Sequence, residues 1–397
     1  MRLRLNFFFI TLLSLLALGG CSKGNDSSTP SQNPSTKSET EFCATVMAVS
    51  DGTTITSRAQ FKPRQLGISG LEGEGSAIDI KFAEVNVLDS SGTVVQCGET
   101  DVSGNISLVI PKTAGSYTLK VLSRSNPASS IYKVSVLNNP TDNQPYALSA
   151  SFSLNGSEAT AGITLAAADS SSPNVLSVAF NIMNQIYIAN NFLRSNTACT
   201  TSNSISCSAF SVAPKVQVFR AAGLSPGDYY SSASSGISFF SPESSSAIPR
   251  GLYILGGING DLNCTDTDHF DNSVILHEYG HFLEDAFSKS DSPGGSHNGN
   301  FIIDPRLAWS EGWANFFQAA VAGDSTYTDT YGNSSCSTGN SGISISLNLQ
   351  TPTAGQDLMS SGTTSGEGVF REISVSRTLF HTLKTASPYS GPGVDFP

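Results

Sequence analysis

Two of the chain's five histidines stand four residues apart in VILHEYGHFLEDAF, residues 274–287, and a glutamate directly follows the first of them. On a helix, residues i and i+4 share a face, so His277 and His281 can aim both imidazoles at one metal ion. Glu278, a step around the helix, can reach a water on that metal without ligating it. Two neutral nitrogen ligands and a base are the chemistry of a catalytic zinc site. Val274, Ile275, Leu276, Phe282, Leu283, Ala286 and Phe287 supply an apolar stripe that would bury such a helix. Gly280 costs about 1 kcal/mol against Ala inside a helix, which the close approach of a strand or substrate would explain.

Catalytic zinc needs a third protein ligand and an open position for water. Two downstream residues are candidates. His297 lies in the glycine-rich DSPGGSHNG. Glu311 lies in LAWSEGWANFFQAAVAG, a helical pattern with Leu307, Ala308, Gly312, Phe316, Ala319 and Ala320 on one side. A glutamate in an otherwise small and aromatic stripe is expensive unless paired or coordinated, and a metal would satisfy it. Upstream, DTDHFD offers Asp266, Asp268 and Asp271 as hard oxygen ligands for Ca2+, without the glycine and terminal glutamate of an EF-hand. The same acidic run also suits a helix N-terminus, where the dipole favours negative charge.

These residues need a scaffold, and the pattern along the chain supplies one. From about 60 to 155 short alternating stretches are separated by turns at Asp89-Ser90-Ser91-Gly92 and Ser103-Gly104-Asn105. That spacing predicts an all-β sandwich. Past Pro173 the period changes: Val175, Val178, Ala179, Ile182, Met183, Ile186, Ala189 and Leu193 predict an amphipathic helix. Strands are expected in PKVQVFRA, SGISFFS and RGLYILGG, and a last helix over about 367–385. The fold class is therefore multidomain, with a sandwich at 60–155 and an α+β domain at 170–397.

The N-terminus reads as an export signal. Arg2 and Arg4 precede an apolar run from Phe7 to Leu18 that is too short to span a bilayer. Residues 21–59 form a polar linker rich in Ser, Thr, Asn and Pro. Cys43, Cys97, Cys199, Cys207, Cys264 and Cys336 make an even count, which suggests disulfides in an exported chain. Cys199 and Cys207 bracket a short loop; Cys43–Cys97 and Cys264–Cys336 would follow by elimination. Charged residues are 13% and the formal charge is −11. With no basic run past the first residues, nucleic acid is excluded as a partner.

Three resemblances sharpen this reading. Leu18-Gly19-Gly20-Cys21 resembles the bacterial lipobox, which implies a signal peptide over 1–20 and an acylated Cys21 as membrane anchor. Ser22 after it implies the outer membrane, with the protein facing the periplasm or the cell surface. TDVSGNISLVIP and GSYTLKV resemble the transthyretin-like (carboxypeptidase regulatory-like) module, which implies no chemistry. HEYGH followed by SEGWANFF resembles the gluzincins, the thermolysin-like and fungalysin-like zinc metallopeptidases. That resemblance implies a zincin-like domain with His277, His281 and Glu311 on zinc and Glu278 as general base. An Asp often steadies the first histidine in that family; Asn315 stands here, an acceptor without charge. An oxyanion partner is expected downstream, with Arg371 and His381 as candidates. The family's aminopeptidase signature is missing, which favours an endopeptidase acting on proteins or peptides. The rival reading is a zincin-like surface binding protein or adhesin with a non-catalytic metal site. Glu278 argues against it, because a structural site needs no base that is not a ligand.

Overall fold

The computed structural model describes residues 48–67, 70–126, 129–170, 176–196, 210–226, 236–242, 249–257, 261, 264–297, 301–331, 342–350 and 368–383. The expected signal peptide, the acylation site at Cys21 and the linker up to residue 47 lie outside them. So do Cys43, Cys199, Cys207 and Cys336. Cys97 and Cys264 are both disulfide-bonded, and the connectivity lies outside the described residues. Among the described residues no helix is long and apolar enough to cross a membrane.

The first half is built of strands. They are β1 (Gly52–Arg58), β2 (Gln60–Phe61), β3 (Arg64–Gly67), β4 (Gly70–Glu74), β5 (Ile78–Asp79) and β6 (Ala83–Asp89). Then come β7 (Val94–Glu99), β8 (Asn105–Pro111), β9 (Gly115–Ser125), β10 (Val134–Leu137), β11 (Ala147–Leu154) and β12 (Thr160–Gly162). The second half alternates: α1 (Leu176–Asn196), β13 (Val216–Phe219), β14 (Phe239–Ser241), β15 (Gly251–Tyr253), α2 (Asn272–Phe287) and α3 (Pro305–Ala322). It ends with β16 (Thr326–Thr330), β17 (Ile343–Asn348) and α4 (Glu372–Leu383).

The two expected turns form where the sequence places them. Gly92 and Gly104 take φ of 82° and 72°, in the left-handed region that favours glycine. β1 pairs antiparallel with β8 and parallel with β12 in a three-stranded sheet. β9 pairs antiparallel with β6 and β11, and β6 with β7. Inward residues of both sheets, among them Ile55, Val85, Val87, Ile106, Ile110, Leu119 and Val121, belong to one buried cluster.

The expected boundary near 155–170 falls inside shared structure. β9 also pairs with β10, β10 runs parallel to β13, and β13 runs parallel to β15, with β14 antiparallel at the edge. One eight-stranded mixed sheet therefore takes strands from both sides. The same hydrophobic cluster runs from Ile55 through Val178 and Ile186 of α1 to Leu276, Tyr279 and Phe317. Parallel neighbours such as β10 and β13 need a crossover, and a helix usually provides it. The change of period past Pro173 marks that crossover helix within the sheet's connectivity.

α1 buries Val178, Ala179, Ile182, Met183, Ile186, Ala189 and Leu193, the apolar positions spaced by three and four. α3 has Pro305 at its first turn, and Asp304 accepts from Arg306 N at 2.9 Å. It stops at Gly323, which takes φ 67°. The stripe predicted for α3 is wider than one face: Leu307, Ala308, Ala314, Phe316, Phe317 and Ala319 are all buried. α2 packs on one side of α3 and α4 on the other.

Candidate metal centre

Two glycines set the spacing of these three helices. A Cβ on Gly280 would lie 3.2 Å from Ala314 Cα and 3.3 Å from Phe317 Cδ1. The close neighbour of Gly280 is therefore α3, where a strand or substrate was expected. Trp313 Nε1 donates to the Gly280 carbonyl at 3.1 Å, fixing the same crossing. A Cβ on Gly312 would lie 2.6 Å from Val375 Cβ and 3.0 Å from the Glu372 carbonyl, so α4 is pressed closer still.

This packing brings His277, His281 and Glu311 together, with one ligand atom of each within 4.8 Å of the others. The two Nε2 atoms are 3.1 Å apart, and each is 3.3 Å from Glu311 Oε2. Ligands held tetrahedrally at roughly 2.0–2.1 Å from zinc stand roughly 3.3–3.4 Å apart. The triangle thus has the dimensions of one face of a zinc tetrahedron, with donor types that suit zinc. Its electrostatics agree. Burial opposes charge on His281, yet Glu311 and Glu284 outweigh it and raise the ring well above its ordinary pKa. Burial likewise pushes Glu311 up, and His281 and His277 overcome it, holding the carboxyl well below the usual range. The centre favours positive charge among its three donors.

Each histidine is oriented through its other nitrogen. His277 Nδ1 lies 3.1 Å from Asn315 Oδ1, so an Nδ1–H donor leaves Nε2 free to ligate. His281 Nδ1 lies 3.2 Å from Ser310 Oγ, which donates to Glu284 Oε2 at 2.6 Å. Glu278 follows His277 on α2 and is 7% exposed. Its charge is among those that raise His281.

The remaining candidates are placed differently. Arg371 is fully buried just before α4, its guanidinium over the Phe370 ring at 5.8 Å. His381 is in the last turn of α4. At 1.5 Å per residue that is about 14 Å along the axis from Glu372, so this geometry does not bring His381 to the histidine triangle. His297 does come to it. Its Nε2 is 3.4 Å from Glu311 Oε1 and its Nδ1 is 2.7 Å from Glu372 Oε2. Burial lowers the His297 pKa, but the Glu372 hydrogen bond and both carboxylate charges prevail and hold it at about 8.

Several partners escaped the sequence reading. Glu284 is three residues past His281, on the same helical face, and that spacing could have flagged it. Ser310 and Glu372 carry no such signal. Nor does Tyr327 of β16, whose ring stands edge-on to His277 at 5.7 Å.

The acidic run is also rearranged. Asp266 and Asp268 cluster with Asp329 of β16, their oxygens within 4.8 Å of one another. Asp271 occupies the N-cap of α2 without capping it. Its carboxylate accepts from Thr330 N at 2.8 Å and from Thr330 Oγ1, which ties β16 to the start of α2. Burial, then the Asp329 charge, raises Asp266 to about 7. The same two causes raise Asp268 and Asp271 well above the ordinary carboxylate range.

Residues 241–361 match the family model described as the mycolysin C-terminal domain. An uncharacterised protein of Archaeoglobus fulgidus is 38% identical over 60 residues, which are 14% of this chain. The chain spans 17% of that relative's length. The mycolysin match covers α2 and α3, and with them His277, Glu278, His281 and Glu311, and it supports a thermolysin-like metallopeptidase.

Proposed function

We propose that the chain is a zinc endopeptidase, exported and anchored in the outer membrane through a lipid on Cys21. The observation that carries the catalytic reading is the triangle of His277, His281 and Glu311, with edges of 3.1, 3.3 and 3.3 Å, directly beside a glutamate that is not part of it. These three residues would hold zinc, which when bound acidifies a water and polarises the scissile carbonyl. Glu278 takes the proton as the water oxygen bonds to the carbonyl carbon, then delivers it to the amine as the C–N bond breaks. Asn315 and Ser310 keep the imidazoles in the tautomer that ligates. Asp266, Asp268 and Asp329 are the residues that would bind calcium, with Asp329 in place of the sequence candidate Asp271.

The substrate class is protein or peptide, reached from a membrane-tethered position. Incubating the full chain with a diverse peptide library, with and without a chelator, tests this reading by mass spectrometry. Internal cleavage that chelation abolishes and zinc restores is expected. A folded, zinc-loaded protein that cleaves nothing would favour the binding-protein alternative.

A further inference from the structure

We propose that His297 is a positioning residue for Glu311, held in place by Glu372, so that α4 helps to build the metal centre. The inference rests on the reading of His277, His281 and Glu311 as zinc ligands. Glu311 divides its two oxygens: Oε2 faces both histidine Nε2 atoms at 3.3 Å, while Oε1 lies 3.4 Å from His297 Nε2. On the far side of the ring, Nδ1 lies 2.7 Å from Glu372 Oε2, in the first turn of α4. The Nδ1 side is a hydrogen bond to the Glu372 carboxylate, while Nε2 faces Glu311 Oε1 at ion-pair distance.

Glu311 is 8% exposed and Glu372 is 7% exposed. A carboxylate oxygen buried there without a partner would carry a desolvation cost. His297 hydrogen-bonds one of these carboxylates and stands at ion-pair distance from the other. The loop that delivers the ring passes through Gly294 and Gly295 at φ of 62° and 117°, conformations that favour glycine. With Oε1 beside His297, Glu311 would offer its other oxygen, Oε2, to a metal held by the two histidines. Glu372 acts only through His297, because its contact is with the ring and not with the triangle.

The test is zinc affinity of the full chain, measured by competition with a chromophoric chelator. Wild type is titrated first, followed by His297→Ala, His297→Gln, Glu372→Gln and the double variant His297→Ala/Glu372→Gln. Loss of a partner that orients a metal ligand typically weakens binding about 10–100-fold, and His297→Ala is expected in that range. His297→Gln should recover part of the loss, since its amide N–H can donate to Oε1. Glu372→Gln should weaken zinc several-fold alone and add nothing to His297→Ala. Zinc affinity unchanged in both single variants overturns the proposal. So does a fall in kcat for peptide cleavage at unchanged zinc affinity, which would place the ring on substrate. Wild type that takes up no zinc overturns the metal centre itself, and titrating it first tells the two failures apart.

Discussion

At the residue scale the centre depends on which atom of each side chain is already engaged. Asn315 Oδ1, 3.1 Å from His277 Nδ1, accepts the ring N–H but brings no negative charge to it. Asn315→Ala is therefore expected to weaken zinc about 10–100-fold. Asn315→Asp should bind at least as tightly as wild type, because a carboxylate raises the basicity of the opposite nitrogen. Equal affinities for wild type and the alanine variant, by chelator competition, would show that the contact does not orient the ring. His277, Glu278 and His281 were legible because helical spacing alone puts them on neighbouring positions. Asn315 was legible only through the gluzincin resemblance, which expects a partner for the first histidine four residues past Glu311. His297 was legible only as a candidate ligand, and Ser310 and Glu372 were not legible, since such contacts join loop and helix positions up to 75 residues apart. The sequence pointed to Arg371 and His381 and gave no sign of Glu372, which holds His297 beside Glu311.

At the element scale, α3 is the piece that everything else is measured against. It carries Glu311 and Asn315, and its small residues let α2 and α4 approach from opposite sides. Gly312→Ala would place a Cβ 2.6 Å from Val375 Cβ, a clash with the stem of the side chain and not with a flexible end. Overpacking of this kind costs about 1–3 kcal/mol, readable as a lower denaturation midpoint. Gly280→Ala should be milder, because its contacts of 3.2 and 3.3 Å require only a small shift of α3. Wild-type stability in Gly312→Ala would mean the α3–α4 spacing is not set there. The helices themselves were readable from period and caps: Pro305 and Gly323 bound α3 where an N-terminal proline and a left-handed glycine should stand. The β16–β17 hairpin was not read. TYTDT and ISISLN are polar, mostly half-buried strands, covered by α2 and α3 at β16 and by Ala319 and Ile373 at Leu347, and local alternation carries little of that.

For the molecule as a whole, the continuous sheet ties the strand-rich half to the half bearing the metal centre. The pairing of β10 with β13 was invisible in the sequence, because a change of period looks the same at a domain boundary and at a crossover helix. At the start of α2, buried Asp268 and Asp271 stand near half-buried Asp266 and Asp329, whose charges add to the effect of burial. A carboxyl raised to about 7 in the folded state stabilises it below its unfolded pKa near 4, and that contribution is lost as pH rises through about 7. The melting temperature should accordingly fall between pH 5 and pH 8 without added cation. Asp329→Asn should flatten the fall, and calcium at pH 8 should reverse it. A slope of the opposite sign, or one indifferent to both, would contradict the cluster's place in the folded state.

The central claim separates ligands from base, and the most direct test is to measure zinc content and peptide cleavage together in wild type, Glu278→Ala and Glu311→Ala. Wild type should carry zinc and cleave. Glu278→Ala should keep the metal and lose cleavage by about 100-fold or more, and Glu311→Ala should lose both. Retained cleavage in Glu278→Ala, or zinc lost from it as readily as from Glu311→Ala, would contradict the account.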